Sequence, residues 1–157
     1  MEKVQIPVDI MLCQMEELDE KDRTLVEEAI SATDNSYSPY SRFRVGAALR
    51  LADGRVVKGA NQENAAFSIT ICAERTAIYA AQSQYPDQPI TSLAIAARNE
   101  EGFTDEPVSP CGMCRQAMVE VEQKYSQPIR ILLYGRKGVY VMNSVSNLMP
   151  LSFVDMK

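Results

Sequence analysis

The stretch Cys72-Ala73-Glu74-Arg75-Thr76-Ala77-Ile78-Tyr79-Ala80-Ala81-Gln82-Ser83-Gln84 reads as a helix by composition. It is rich in Ala with Glu, Arg and Gln, which lose little on entering a helix, and it holds no Gly or Pro. On either side the pattern changes to strands. Residues 45–51 and 55–59 flank Ala52-Asp53-Gly54 and read as a hairpin whose turn needs a positive φ at Gly54. Residues 93–97 form a short buried strand, and residues 111–124 a second helix opened by Pro110, a residue favoured at helix starts. Residues 129–134 and 139–142 are strands around Gly135-Arg136-Lys137-Gly138; a hairpin is the local reading, although each could pair elsewhere.

Upstream, Asp19 suits an N-cap for a helix whose stripe is Leu25, Val26, Ala29 and Ile30 and which ends near Thr33. Before that, Val4, Ile6, Val8, Ile10 and Leu12 alternate with the period of a strand, and Pro7 assigns it to a sheet edge. The order strand, helix, hairpin, helix, strand, helix, strand, strand predicts an α/β fold: a three-layer α/β/α sandwich with a mixed central sheet. A chain of 157 residues is the length of one domain, so residues 1–157 are expected to share one core, with residues 1–15 a strand-like N-terminal extension.

Composition narrows the function. Sixteen basic against twenty-one acidic residues give a net charge of −5, which repels a long polyanion and suits a small neutral substrate better than nucleic acid. Lys3, Asp9, Arg50 and Arg55 interrupt the apolar runs, so neither a secretory signal nor a membrane span is expected and the protein reads as cytoplasmic. With no histidine, Ser-His and Cys-His nucleophilic machinery is excluded. What remains is carboxylates, thiols, amines and any metal they hold.

Cys72-Ala73-Glu74 and Pro110-Cys111-Gly112-Met113-Cys114 supply the thiols. Three thiolates can hold Zn2+ and leave its fourth tetrahedral position to water, the arrangement of a catalytic rather than a structural zinc. Glu74 is the only acid inside these motifs, placed to handle that water's protons. The layout is the signature of zinc nucleobase deaminases with Cys in place of the first His ligand. Both motifs fall at predicted helix N-termini, where the backbone favours negative charge and lowers thiol pKa values.

At this point the chain resembles the cytidine deaminase family over roughly residues 36–153. The match includes Ser38-Pro39-Tyr40-Ser41-Arg42-Phe43, Val45-Gly46-Ala47-Ala48, Asn61-Gln62-Glu63-Asn64-Ala65, Cys72-Ala73-Glu74-Arg75-Thr76-Ala77 and Ser109-Pro110-Cys111-Gly112-Met113-Cys114-Arg115-Gln116. The resemblance implies zinc-dependent hydrolytic deamination of cytidine and deoxycytidine in pyrimidine salvage. It implies Cys72, Cys111 and Cys114 as metal ligands, one Zn2+ per subunit, and Glu74 as proton shuttle. Asn61 and Glu63 are implied for the ribose hydroxyls, Phe43 for packing on the pyrimidine, the Ala73 amide for the base carbonyl, and Arg75 as a cation beside the thiolates. The all-Cys ligand set is similar to the homotetrameric branch, in which Phe153 would reach a neighbour's site. Two residues depart from the usual pattern: Arg44 stands where Pro is often found, and Met113 where a smaller residue is common, which is expected to tighten the pocket.

Other readings stay open from the residues alone. The three cysteines could be buried core thiols, Cys111 and Cys114 a redox pair, or Cys13 the fourth thiolate of a closed structural site, although Cys13 has no partner motif. Asn61 and Glu63 by themselves would be turn residues. The competing functions are a deaminase of another cytosine-containing substrate and a non-catalytic, zinc-stabilised binding module.

Overall fold

Asp19 caps the first helix as its side chain accepts a hydrogen bond from the Asp22 amide at 2.8 Å, and α1 (Glu20–Ala32) runs from there. This is a computed structural model, and it describes residues 1–156. The chain opens with β1 (Met11–Cys13) before α1 and continues through β2 (Arg44–Leu51) and β3 (Val56–Ala60), a hairpin in which Gly54 has φ +92° as its turn requires. Next come α2 (Ala73–Gln84), β4 (Ile90–Asn99), the two-residue β5 (Gly102–Phe103), α3 (Gly112–Tyr125), β6 (Arg130–Gly135) and β7 (Gly138–Met142).

The strands form one sheet in the order β1-β7-β6-β4-β2-β3, with β5 beside the end of β4. Only β4 and β6, the pair that α3 connects, run parallel; the other pairs are antiparallel, so the sheet is mixed as the element order predicted. Alternation along β4 separates the two faces. Ala94 and Ala96 pack with Ala48 and Leu132 beneath Leu25, Val26 and Ala29 of α1, whereas Leu93 and Ile95 pack with Leu49, Ile131 and Leu133 beneath α2 and α3. These are the three layers of the sandwich.

Four readings of the sequence are corrected. The strand expected over residues 4–12 is confined to Met11–Cys13, and residues 1–10 are exposed without regular structure. The alternation is present, but its partner runs out: Met11 pairs with Val141, one residue short of the end of β7, and Pro7 has no N–H to add. The edge position does hold, as β1 is outermost. Pro110 lies before the N-cap Cys111 instead of in the first turn of α3. The strand expected over residues 93–97 spans the ten residues of β4, and the second hairpin closes on Arg136-Lys137 alone because Gly135 and Gly138 are already paired.

Two glycines on paired strands set the helix spacing. Gly46, beside Ala60, faces α1, and Gly59, beside Ala47, faces α2. A Cβ on Gly59 would lie 2.5 Å from the Ala73 carbonyl oxygen and 2.6 Å from the Ala77 amide nitrogen, both backbone atoms that can yield only if α2 shifts. Gly59→Ala is therefore expected to cost about 1–3 kcal/mol in denaturant unfolding, the range for forcing an extra methyl into a packed interior. An unchanged midpoint would contradict this close approach.

Candidate active site

The starts of α2 and α3 are built alike. Each has a cysteine at the N-cap in extended conformation, Cys72 at φ −72°, ψ 154° and Cys111 at φ −66°, ψ 167°, and neither side chain caps its own helix. The first-turn N–H groups, which have no intrahelical partner, thus present the positive ends of two helices to whatever lies nearby. Three sulfurs lie there. Cys114, on the first turn of α3, completes a triad with Cys72 and Cys111 whose Sγ atoms are all within 4.8 Å of one another.

The spacing discriminates among the thiol readings. Cys72 and Cys111 are 3.8 Å apart and Cys111 and Cys114 3.6 Å, far from the roughly 2.05 Å of a disulfide, and all four cysteines are free. Two sulfurs each about 2.3 Å from a tetrahedral zinc lie about 3.8 Å from each other, so the triad fits that ion. Cys13 packs on the opposite face of the sheet, against the α1 cluster, and cannot close the shell.

Thiols this close compete for protons. The hydrogen bond from Cys114, with help from Arg75, lowers Cys72 to about 5, while Cys114 is pushed well above the ordinary thiol range by giving that bond and by burial. Arg75 donates from Nη2 to Cys72 Sγ at 3.7 Å, which holds the guanidinium more firmly charged; its Nε is buried without a partner. Glu74, 4% exposed, has its carboxyl pushed up to about 7, first by burial and then by the negative charge of Cys72. Near neutral pH this carboxyl can both hold and release a proton.

Cys72 and Cys111 of the triad form one end of a cavity of about 220 Å³. Cys72, Ala73, Glu74 and Cys111 line it from the helix starts, Asn61 and Glu63 from the segment after β3, and Val45, Ile71, Ile95 and Val108 give it apolar walls. Cys114 lies buried beneath. The sequence placed Val45 and Ile95 on strands without marking them for the site, because strand alternation says which face a residue takes and not that the face ends in a cavity. Two predicted residues are not brought to the lining: Phe43 is half-buried and Phe153 is 83% exposed. Met113 does not tighten the pocket as expected; it is 65% exposed, pointing away from the core on the first turn of α3.

Asn61 and Glu63 organise the preceding loop. Asn61 accepts at Oδ1 from the Val45 amide at 2.8 Å and from the Ser36 hydroxyl, and donates from Nδ2 to the Phe43 carbonyl at 2.9 Å. Glu63 accepts from the Tyr40 amide at 2.9 Å, the Ser41 amide at 3.2 Å and the Ser41 hydroxyl, whose bond above all holds this carboxyl below the usual carboxylate range. Residues 36–45 are thus fastened to the cavity wall at both ends.

Residues 19–126 match the family described as the cytidine and deoxycytidylate deaminase zinc-binding region. The chain is similar to the cytidine deaminase of Halalkalibacterium halodurans, with 42% identity over 129 residues that cover 82% of this chain and 91% of that one. It is also similar to the crystal structure of cytidine deaminase from Burkholderia pseudomallei, at a TM-score of 0.71 and 36% identity over 83% of this chain and 97% of that one, and to the enzyme from Mycobacterium tuberculosis, at a TM-score of 0.67 and 30% identity over 88% and 100%. The chain belongs to the cytidine deaminase family, and the cysteine triad is in its zinc-binding region.

The three bonds of Asn61 generate a test that needs no substrate. Asn61→Ala leaves the Val45 amide and Phe43 carbonyl without their partner and is expected to lower unfolding free energy by about 1–3 kcal/mol. Hydrogen exchange at Val45 should quicken with it. A variant as stable as the parent would mean that the loop is held elsewhere.

Proposed function

We propose that this chain hydrolyses cytidine and deoxycytidine to uridine and deoxyuridine with release of ammonia, in pyrimidine salvage. The observation that carries the reading is the convergence on one cavity of the sulfur triad, a buried carboxyl with its pKa near neutrality, and an amide and carboxylate on the opposite wall. Cys72, Cys111 and Cys114 would hold zinc, which when bound supplies a Lewis acid that makes water nucleophilic near neutral pH.

The chain's own groups then divide the work. Glu74 would accept one proton of the attacking water and pass it to the ring nitrogen beside the amino-bearing carbon, then take the second from the hydroxyl now on that carbon and give it to the amine as the carbon–nitrogen bond breaks, so that one carboxyl serves both ends of the reaction. Ala73, first residue of α2, has an amide N–H free of any intrahelical partner for the base carbonyl. Arg75 offsets the charge gathered on sulfur.

Hydrogen-bond inventory indicates how the sugar can be read without dismantling the loop. Asn61 has spent both lone pairs of Oδ1 but keeps one Nδ2 hydrogen, and the Glu63 carboxylate keeps acceptor capacity beyond its bonds to residues 40 and 41. A ribose hydroxyl can therefore take a hydrogen from Asn61 and give one to Glu63. Free cytosine would leave both unanswered and be a poor substrate. Phe43 packs on the pyrimidine after its ring turns toward the cavity.

The working unit is a homotetramer in the cytoplasm. At about 220 Å³ the cavity is smaller than the roughly 300–1,000 Å³ usual for ligand sites, and Phe153 and Leu151 are 83% and 81% exposed. A neighbouring subunit that lends Phe153 would supply the missing wall. Among the described residues no helix is long and apolar enough to cross a membrane, and four free thiols suit a reducing compartment.

Loss of cytidine absorbance in the ultraviolet tests the reaction. Glu74→Gln should lower kcat by about 10²–10⁴-fold, the usual worth of a positioned general acid–base, with zinc content unchanged; turnover at the parent rate would remove Glu74 from the mechanism. For the assembly, sedimentation should give four times the chain mass, and Phe153→Ala should raise KM while the tetramer persists. A fully active monomer would refute the shared site.

A further inference from the structure

Arg44 and Arg98 are direct partners across the β2–β4 ladder, two like charges in a placement that costs a sheet stability. They line, with Arg42, a polar pocket of about 590 Å³ at the end of the sheet, which shares no lining residue with the nucleoside cavity. The acids nearby pair with two of these arginines and leave the third. Asp34 takes Arg98 at 2.6 Å, and the Thr33 hydroxyl accepts from Arg98 Nε at 2.9 Å; Glu100 takes Arg42 at 3.0 Å in a pair whose side chains are both 69% exposed. Among the described residues the Arg44 side chain has no hydrogen bond or ion pair. The lining therefore carries three guanidinium groups against Glu100 alone, or against two acids with Asp34 counted, in a chain whose net charge is −5.

We propose that this pocket binds a phosphate group, carried by free phosphate or by a nucleotide. Guanidinium groups offer planar forks that match phosphate oxygens two at a time, and an unpartnered arginine opposite another is the arrangement an anion would relieve. The Arg42–Glu100 bond, open to water on both sides, is the weak contact that an entering anion would displace, which frees Arg42 as a further donor. The cavity exceeds the needs of phosphate alone and leaves room for the rest of a nucleotide.

The test is calorimetric titration of the zinc-loaded full chain with inorganic phosphate and, separately, adenosine monophosphate, at ionic strength matched with chloride. Saturable binding is expected for both, and tighter binding of the nucleotide would identify it as the better occupant. Arg44→Gln should weaken binding at least about tenfold, the fold-change equivalent to losing one charge-assisted hydrogen bond, whereas Glu100→Gln should strengthen it. In phosphate-free buffer Arg44→Gln should also raise the melting temperature, because it removes the opposed charge. No saturable heat beyond the chloride control, binding indifferent to Arg44→Gln, or a lower melting temperature for that variant would each overturn the proposal.

Discussion

Three sulfur atoms within 4.8 Å of one another, at the starts of two helices, are the constraint on which the rest of this molecule depends. Negative charge cannot accumulate on three neighbouring sulfurs unless something positive surrounds them. The fold supplies part of this from the free N–H groups of α2 and α3 and part from Arg75, and a bound cation supplies the remainder. That α2 begins where it does follows in turn from Gly59, whose missing side chain lets the helix start rest on β3. Glu74 owes its high pKa to the same geometry: a helix start pressed onto the sheet buries the residue that follows Ala73.

Much of this was legible in the chain. Asp19, Gly54 and the cysteine motifs act through local chemistry, and each behaves in the structure as its neighbours in sequence suggest. The layer order followed from the element order, since a helix between two strands brings β4 and β6 side by side. The N-terminal strand was misjudged because pairing depends on the length of the partner as well as on alternation, and β7 is too short to accept residues 4–9.

The loop at residues 36–45 was the least legible part of the site. Asn61 and Glu63 could be singled out by resemblance, but nothing in their spacing says that one amide would grip Ser36, Phe43 and Val45 together or that one carboxylate would hold residues 40 and 41. These are contacts between segments about 20 residues apart, fixed only once the β2–β3 hairpin closes. The same loop carries Phe43 near one cavity and Arg42 and Arg44 beside another, so its few anchors set the geometry of both. Phe153 is different again: its side chain is 83% exposed while its carbonyl accepts from Gln116 Nε2, so the resemblance alone singled it out.

Three thiolates from two helix starts make an open metal site and not a closed one. X-ray absorption at the zinc edge of the loaded protein tests it directly. Three sulfur neighbours at about 2.3 Å and one lighter oxygen donor are expected. Four sulfurs would mean a closed shell, and fewer than three would mean that the triad does not hold the metal; either result would contradict an open three-thiolate site.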